Sequence, residues 1–393
     1  MVLQTATEVC PKVQDATDSS SVPSPAAIAF SKSLPCLVLG GAGFSFQTHQ
    51  DPESLPVASI VRKAFDHGLL VIDTSPLYEP SEQLLGQALI DPAITDRYVR
   101  ADYVLMTKAG RTGPDTYDYS PAWVDASVRR SLARLHTTYL DVVFCHDMEA
   151  VTDNDVLAAV DALRKLVDEG LVRHIGLSSY RLDLLSRRSQ LVRDHFSKQG
   201  GPAIDVVQTW GQLTLQNSRL ETQAEGLAGL RAAGVTHVFS SSPLGMGLLR
   251  KEGVPLGKLG DFHPAPPGLR QASRRLADLM SLQGENLAAV ALRYALWRAH
   301  VAGEAHGIRV STITGISSHA DLAENAEALR QILKGDLRSP ELNAVQLVKD
   351  QTLFSKAHEI LGDWVDWTYT IPAEGWDQER KCLIDGMAKN PAQ

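Results

Sequence analysis

A closed (β/α)8 barrel of the TIM type is the fold this sequence predicts, and three features predict it. Eight short apolar or β-branched runs recur along the chain, at Cys36 to Leu39, Leu70 to Asp73, Tyr103 to Lys108, Leu140 to His146, His174 to Ser178, Val206 to Trp210, His237 to Ser241 and Ser311 to Gly315. Between them lie amphipathic stretches of helical period. Strands that alternate with helices run parallel through right-handed crossovers, and eight such units close into a barrel. The third feature is length: 393 residues, of which 44% are hydrophobic and 21% charged, suit one barrel of about 250 residues with extensions.

Residues 1–32 are rich in Ser, Thr and Pro and lack apolar periodicity, which predicts a disordered polar extension. Its acidic Glu8, Asp15 and Asp18, with no arginine, speak against a mitochondrial presequence. Residues 33–335 carry the eight units, and 336–393 form a C-terminal extension. After the first strand, Gly41-Ala42-Gly43 imitates the start of a dinucleotide fingerprint, but Phe46 stands at the third glycine position and Gln47 to Pro56 is turn-like. The glycines therefore read as a tight turn. Two of the helices show their core face plainly: Val124, Val128, Leu132 and Leu135 within Trp123 to Leu135, and Val156, Val160, Leu163 and Val167 within Val156 to Val167. The extension contains Trp364, Trp367 and Trp376, which fit packing across the barrel bottom, packing beside a cofactor, or an oligomer contact.

Composition narrows the function classes. A net charge of −8 without a Lys/Arg run offers no phosphate-tracking surface, so nucleic acid is not an expected partner. The longest uncharged apolar stretch, Leu34 to Phe44, is too short to span a membrane. Four scattered cysteines without a C-x-x-C pair indicate neither a disulfide framework nor a zinc site, and fit a reducing cytoplasm. A small-molecule substrate, and a monomer or small homo-oligomer, are the expectations that remain.

Barrels of this kind place chemistry at the carboxyl ends of their strands. Asp73 ends the second run, Lys108 the third and His146 the fourth, and Tyr78 stands in the loop five residues beyond Asp73. Taken singly, the Lys and Asp are a structural ion pair, the His a core residue and the Tyr a rim residue. Together they bring an acid, a base and a proton donor to one face.

These residues also carry a resemblance. Val71 to Tyr78 followed by Ser81 to Gly86, then Thr107-Lys108, Asp141 to His146, Ile175 to Tyr180, Val207-Gln208 and Ser242 to Leu249 are similar in order and spacing to the aldo-keto reductases. The resemblance runs from about residue 34 to about residue 335. It implies a catalytic tetrad of Asp73, Tyr78, Lys108 and His146, with hydride passing to or from a nicotinamide cofactor. Tyr78, with an ordinary pKa of about 10, is a poor base until the Lys108 ammonium favours its tyrosinate, while Asp73 orients Lys108 and His146 hydrogen-bonds the substrate oxygen.

The resemblance further implies cofactor contacts from Ser178, Ser179 and Gln208 to the carboxamide. Others come from Ser242, Leu244 and Gly247 after the seventh strand, and from Ser317, Asp321, Glu324 and Asn325 after the eighth. Ser179 replaces a common asparagine, and Ser241 replaces a common stacking aromatic, a role Trp210 is able to share. Between Arg309 and Arg330 there is no Lys or Arg, and Asp321 stands where NADP-preferring members often carry arginine. NAD is therefore expected over NADP, although Ser318-x-x-Asp321 also reads as a helix cap.

Ser242 to Leu249 together with Phe262 to Arg270 is similar to the subgroup that oxidises D-arabinose or L-galactose at the anomeric carbon to an aldonolactone, a route to ascorbate or erythroascorbate. His263 to Leu269 reads equally as a proline-stiffened surface loop. Three other classes stay open: an NADPH-dependent aldehyde or ketone reductase, a catalytically weak cofactor-binding regulatory subunit, and a metal-dependent hydrolase. The last lacks a His-x-His on the first strand, and no metal is expected.

Overall fold

The computed structural model describes residues 25–197, 204–255, 260 and 263–368, with the backbone of 376–377 and 382–383. Eight parallel strands form a closed barrel: β1 (Leu37–Gly40), β2 (Val71–Asp73), β3 (Val104–Ala109), β4 (Leu140–Cys145), β5 (Val172–Ser179), β6 (Val206–Trp210), β7 (His237–Ser241) and β8 (Arg309–Gly315). Each pairs with its sequence neighbours, and β8 closes on β1 through Leu37↔Thr312 to Gly40↔Gly315. All eight expected runs are strands: Val206–Trp210 and His237–Ser241 coincide at both ends, and the other six differ by one or two residues.

Alternation along each strand divides the side chains between two layers. Outward residues such as Leu37, Leu39, Ile72, Leu105, Val143, Val207 and Val238 pack against the helices. Inward residues Val38, Val71, Met106, Val142, Phe144, Val206, Phe239 and Ile313 fill the barrel as an apolar floor. Two residues further along five of these strands stand Asp73, Lys108, His146, Gln208 and Ser241, so the two-residue period itself puts polar groups above the floor.

The helices start where the sequence supplies caps. Ser120 accepts the Trp123 N–H ahead of Pro121–Arg134, and Thr152 with Asp155 forms a reciprocal capping box ahead of Asp153–Asp168. Each such cap stabilises its helix by about 1 kcal/mol. The predicted core faces are met: Val124, Val128, Leu132 and Leu135 are buried, as are Val156, Val160 and Leu163, while Val167 packs at the edge of the same core. Gly41 and Gly43 lie in a short 3-10 turn, Gly41–Phe44. A Cβ on Gly41 would meet Ser81 Oγ at 2.8 Å, and one on Gly43 would meet the Ile316 carbonyl oxygen at 2.7 Å. Close packing accounts for these glycines.

The polar extension is shorter than its composition suggests. Residues 1–24 lie outside the described residues, but Pro25–Ser33 is a helix under the barrel bottom. Phe30 stacks on His174 with ring centroids 3.9 Å apart, and Ser31 Oγ donates to the Thr236 carbonyl at 3.1 Å. Ala27 and Leu34 are buried. The apolar pattern from Ala26 to Phe30 is too brief to register as a period, yet it suffices once the barrel offers a cavity to fill.

Past the barrel, the helix Ala344–Leu361 packs on the helices Pro267–Leu282 and Leu287–His306 through Leu353, Phe354, Ala357 and Leu361. Residues 362–368 then cross to the loop after β6. Gln216 Nε2 donates to the Trp364 and Trp367 carbonyls at 2.7 and 3.1 Å, and the Asp366 carboxylate accepts the Ser218 N–H at 2.6 Å. The described part of the tail thus begins at the barrel bottom, where the Leu337 carbonyl accepts the Cys36 N–H at 2.8 Å, and runs along the flank to the loop after β6 at the opposite end. The side chain of Trp376 lies outside the described residues. No helix among the described residues is long and apolar enough to cross a membrane.

Candidate active site

Asp73 is the last residue of β2 and Lys108 the penultimate residue of β3, and both are buried at the same mouth. Lys108 Nζ donates to both Asp73 carboxylate oxygens at 2.9 and 2.8 Å, and to the Thr74 carbonyl at 2.9 Å. Burial pushes the Asp73 carboxyl up, while the Lys108 charge and hydrogen bonds from Lys108 and Gln208 pull it down. His146 follows β4 directly, so all three residues meet above the apolar floor.

Tyr78 arrives from the loop after β2. Its ring centroid lies 5.0 Å from Lys108 Nζ, and it meets the His146 ring edge-on at 6.0 Å. Burial pushes the Tyr78 phenol above its ordinary value, Asp73 and Asp147 add to the shift, and Arg111 opposes it. The expectation that Lys108 makes this phenol acidic is therefore not met in this state. The ammonium hydrogens go to Asp73 and Thr74, and the phenol keeps its proton.

His146 is held as a neutral imidazole, its pKa pushed down to about 3 chiefly by burial, with Asp147 opposing and Lys108 and Arg111 adding. Ser75 Oγ lies 3.1 Å from Nδ1 and accepts the Leu77 N–H at 3.1 Å; either ring tautomer satisfies this contact, and we assign the one in which the Ser75 hydroxyl donates to Nδ1. That leaves the ring proton on Nε2, which faces the Asp147 carboxylate at 3.6 Å, too far for a hydrogen bond. Nε2–H is a donor held ready for a substrate oxygen. Tyr119 Oη fixes the same segment by donating to the His146 carbonyl at 2.7 Å.

Three groups absent from the sequence reading complete the mouth. Asp147 adopts a left-handed backbone with φ of 53°, and its carboxylate is ion-paired with Arg111 from the β3 loop. Glu149 is buried, and burial followed by the Asp147 charge pushes its pKa up to about 8. Their only sequence signal was proximity to His146, because Arg111 is brought to Asp147 by the hairpin of Arg111–Gly113 and Thr116–Tyr117. Cys36 and Cys145 are free thiols that burial pushes up to about 12, which makes both poor nucleophiles.

Of the residues singled out for the cofactor, Gln208 touches the Asp73–Lys108 pair directly. Gln208 Nε2 donates to Asp73 at 3.2 Å and to Ser241 Oγ at 2.8 Å, and the Asp73 carboxylate fixes the amide's orientation. Gln208 Oε1 is then a buried acceptor with no partner. A nicotinamide carboxamide is the donor that such an atom fits, so the pocket suits that group. Ser178 is already engaged: its hydroxyl donates to the Cys145 carbonyl at 3.1 Å and accepts the Asp147 N–H at 3.0 Å. Ser179 accepts the Arg181 N–H at 3.0 Å and is also a hydrogen-bond partner of Glu149. Trp210 lies against Tyr180, with centroids 5.2 Å apart.

After β7, Ser242, Gly245, Met246 and Gly247 all take positive φ, and Leu244 packs at the edge of the second apolar cluster, that of Leu353 and Phe354. His263 is buried and donates from Nε2 to the Gly245 carbonyl at 2.8 Å, so this segment braces the β7 loop and is not a free surface loop. Phe262 lies outside the described residues. After β8, Asp321 accepts the Ser317 N–H at 3.0 Å and its hydroxyl at 2.9 Å, while Ser318 caps the helix His319–Ile332. Glu324 is exposed and Asn325 half-buried on the first turns of that helix. Arg250, far off in sequence, places its guanidinium 3.5 Å from Asp321. The segment between Arg309 and Arg330 contributes no Lys or Arg, but folding brings an arginine to it.

Residues 36–337 match the model of the aldo/keto reductase family. The chain is 39% identical over 260 residues to D-arabinose 1-dehydrogenase of Saccharomyces cerevisiae, covering 66% of this chain and 74% of that protein. It is 31% identical over 291 residues to L-galactose dehydrogenase of Arabidopsis thaliana, covering 73% and 82%. A third relative, D-threo-aldose 1-dehydrogenase of a Pseudomonas species, is 28% identical over 336 residues, covering 77% and 92%. With its barrel and its strand-end tetrad, the chain belongs to the aldo/keto reductase family of NAD(P)-dependent oxidoreductases.

Proposed function

We propose that the protein oxidises the anomeric carbon of an aldose, of the D-arabinose or L-galactose type, to the aldonolactone with NAD as cofactor. The observation that carries this reading is the convergence of Tyr78 and the His146 Nε2–H donor on one mouth, beside the unpartnered Gln208 Oε1. The aldose dehydrogenase names of the relatives support the substrate class.

When bound, the nicotinamide accepts the hydride from the anomeric carbon. Gln208 Oε1 is suited to hold its carboxamide, and Ser242, Leu244 and Gly247, with Ser317, Asp321, Glu324 and Asn325, to line the rest of the dinucleotide. His146 Nε2–H donates to the anomeric oxygen and orients it. Tyr78 exchanges the proton of that oxygen: as phenol it gives a proton in reduction, and in oxidation it must first lose its own. Lys108 and Arg111 are the cations near enough to favour that loss, and Asp73 holds Lys108 in place. NAD is favoured because Arg250 is already set against Asp321, and a ribose hydroxyl suits that carboxylate better than a 2′-phosphate.

A second reading has an observation in its favour. The protonated Tyr78 is set for proton donation, which suits an NADPH-dependent aldehyde or ketone reductase. Steady-state assays with D-arabinose, L-galactose and simple aldehydes, with each cofactor in both directions, decide between them. Sugar oxidation with NAD as the fastest reaction supports the proposal, and fast aldehyde reduction with sugars inert overturns it.

A further inference from the structure

Tyr78 Oη, His146 Nε2 and Asp147 Oδ1 make no hydrogen bond among the described residues, and all three belong to one mouth. The tyrosine and histidine answer the reacting oxygen. Asp147 has no part in the proton transfer, yet the chain goes to some length to hold it there. Its backbone is left-handed, its N–H donates to Ser178 Oγ at 3.0 Å, and its Oδ2 takes the Arg111 guanidinium. Arg111 is itself anchored through Nε to the Gly113 carbonyl at 3.2 Å and through Nη2 to the Pro114 carbonyl at 2.5 Å.

We propose that Asp147 is a specificity-determining residue that accepts the C2 hydroxyl of the aldose, the group next to the oxidised carbon. This rests on the aldose reading above. The anomeric carbon has two oxygen-bearing neighbours in the ring form: the ring oxygen, which has no hydrogen to donate, and C2 with its hydroxyl. An ionised carboxylate only accepts hydrogen bonds, so it repels the first and binds the second. With His146 Nε2 on the anomeric oxygen and the Asp147 carboxylate 3.6 Å from that nitrogen, vicinal oxygens one carbon–carbon bond apart meet both groups. The pair thereby fixes which face of the ring turns towards Tyr78. Arg111 keeps the carboxylate aimed, and a carboxylate acceptor makes a stronger bond than a neutral one.

The test compares D-arabinose with its 2-deoxy analogue, 2-deoxy-D-erythro-pentose, in the full-length wild type and in two variants. Asp147→Gly keeps the positive φ and removes the carboxylate, while Asp147→Asn, also tolerant of that backbone, keeps a neutral acceptor. The wild type is expected to prefer D-arabinose by about 100-fold in kcat/KM, Asp147→Asn by about 10-fold, and Asp147→Gly by less than threefold. A merely structural role would slow both sugars alike and leave the ratio unchanged, which overturns the proposal, as does an equal collapse of kcat on both. If the Asp147 variants do not fold, Arg111→Met reads the same ratio, and a fall of tenfold or more supports the proposal where no change overturns it. A wild type that oxidises neither these sugars nor L-galactose overturns this inference together with the aldose reading, and if L-galactose alone is oxidised the same ratio is read with L-galactose and its 2-deoxy analogue. One that oxidises D-arabinose with an undiminished ratio in the variants overturns this inference alone.

Discussion

The ammonium of Lys108 lies 2.9 and 2.8 Å from the two carboxylate oxygens of Asp73 and spends its remaining hydrogen on the Thr74 carbonyl at 2.9 Å. Lys108 therefore has no hydrogen left for Tyr78, and in the proposed mechanism any help it gives the phenol comes through its charge. Removing one partner alone leaves the other charge buried and unpaired, which costs about 3–5 kcal/mol. Lys108→Met should lower the denaturation midpoint and abolish turnover. The double variant Asp73→Leu, Lys108→Met should regain most of the stability without regaining activity. Recovery of activity in the double variant would remove the pair from the mechanism.

In the proposed mechanism Tyr78 gives the reaction a signed pH dependence. Oxidation needs the tyrosinate and reduction needs the phenol, and the fold holds the phenol above its ordinary value. The oxidative kcat/KM is expected to rise with pH across the neutral and alkaline range, while the reductive value stays flat. Tyr78→Phe should lose about 10²- to 10⁴-fold in both directions. A pH–rate profile in each direction checks this, and an oxidative rate that falls with rising pH contradicts it.

His237, at the barrel bottom, predicts part of the acid sensitivity. It is buried between Ser31 and Ser311, and burial aided by Arg309 pushes its pKa down to about 3. The unfolded chain takes up its proton below about 6.5 and the folded chain does not, so this histidine withdraws stability as the pH falls from about 6.5 towards 3. His237→Asn should be less stable than the wild type at neutral pH and should lose less on acidification. Urea midpoints of both proteins across that window test it, and parallel curves would contradict it.

On the proposed reading, Asp321 sets cofactor choice through Arg250, 3.5 Å away. Asp321→Ala frees that guanidinium for a 2′-phosphate, and Asp321→Arg adds a second cation. Both should raise the NADP-to-NAD ratio of kcat/KM by about tenfold or more. The alanine variant should also lose about 1 kcal/mol of stability with the Ser317 contacts. An unchanged ratio in both variants would show that Asp321 serves the helix alone.

Most of the barrel was legible because its strands announce themselves by period and composition, and the closed topology follows from their number. Asp73, Lys108 and His146 were legible for the same reason, as polar residues placed by alternation just above an apolar floor. What was not legible depends on contacts between distant segments. Arg111 reaches Asp147 only through a two-stranded hairpin, Arg250 reaches Asp321 across 71 residues, and Gln216 reaches Trp364 across 148. The helix Pro25–Ser33 was hidden because its order comes from the cavity it fills. The direction of the Tyr78 shift was hidden for a similar reason: burial and the nearby carboxylates outweigh the opposing charge of Arg111, itself paired with Asp147.

The most direct test is the stoichiometry of a single reaction mixture containing the full-length protein, NAD and D-arabinose or L-galactose. The account predicts NADH and aldonolactone appearing in equal amounts with the wild type, and neither with Tyr78→Phe. NADH formed without lactone, or lactone formed at an undiminished rate by Tyr78→Phe, would contradict it.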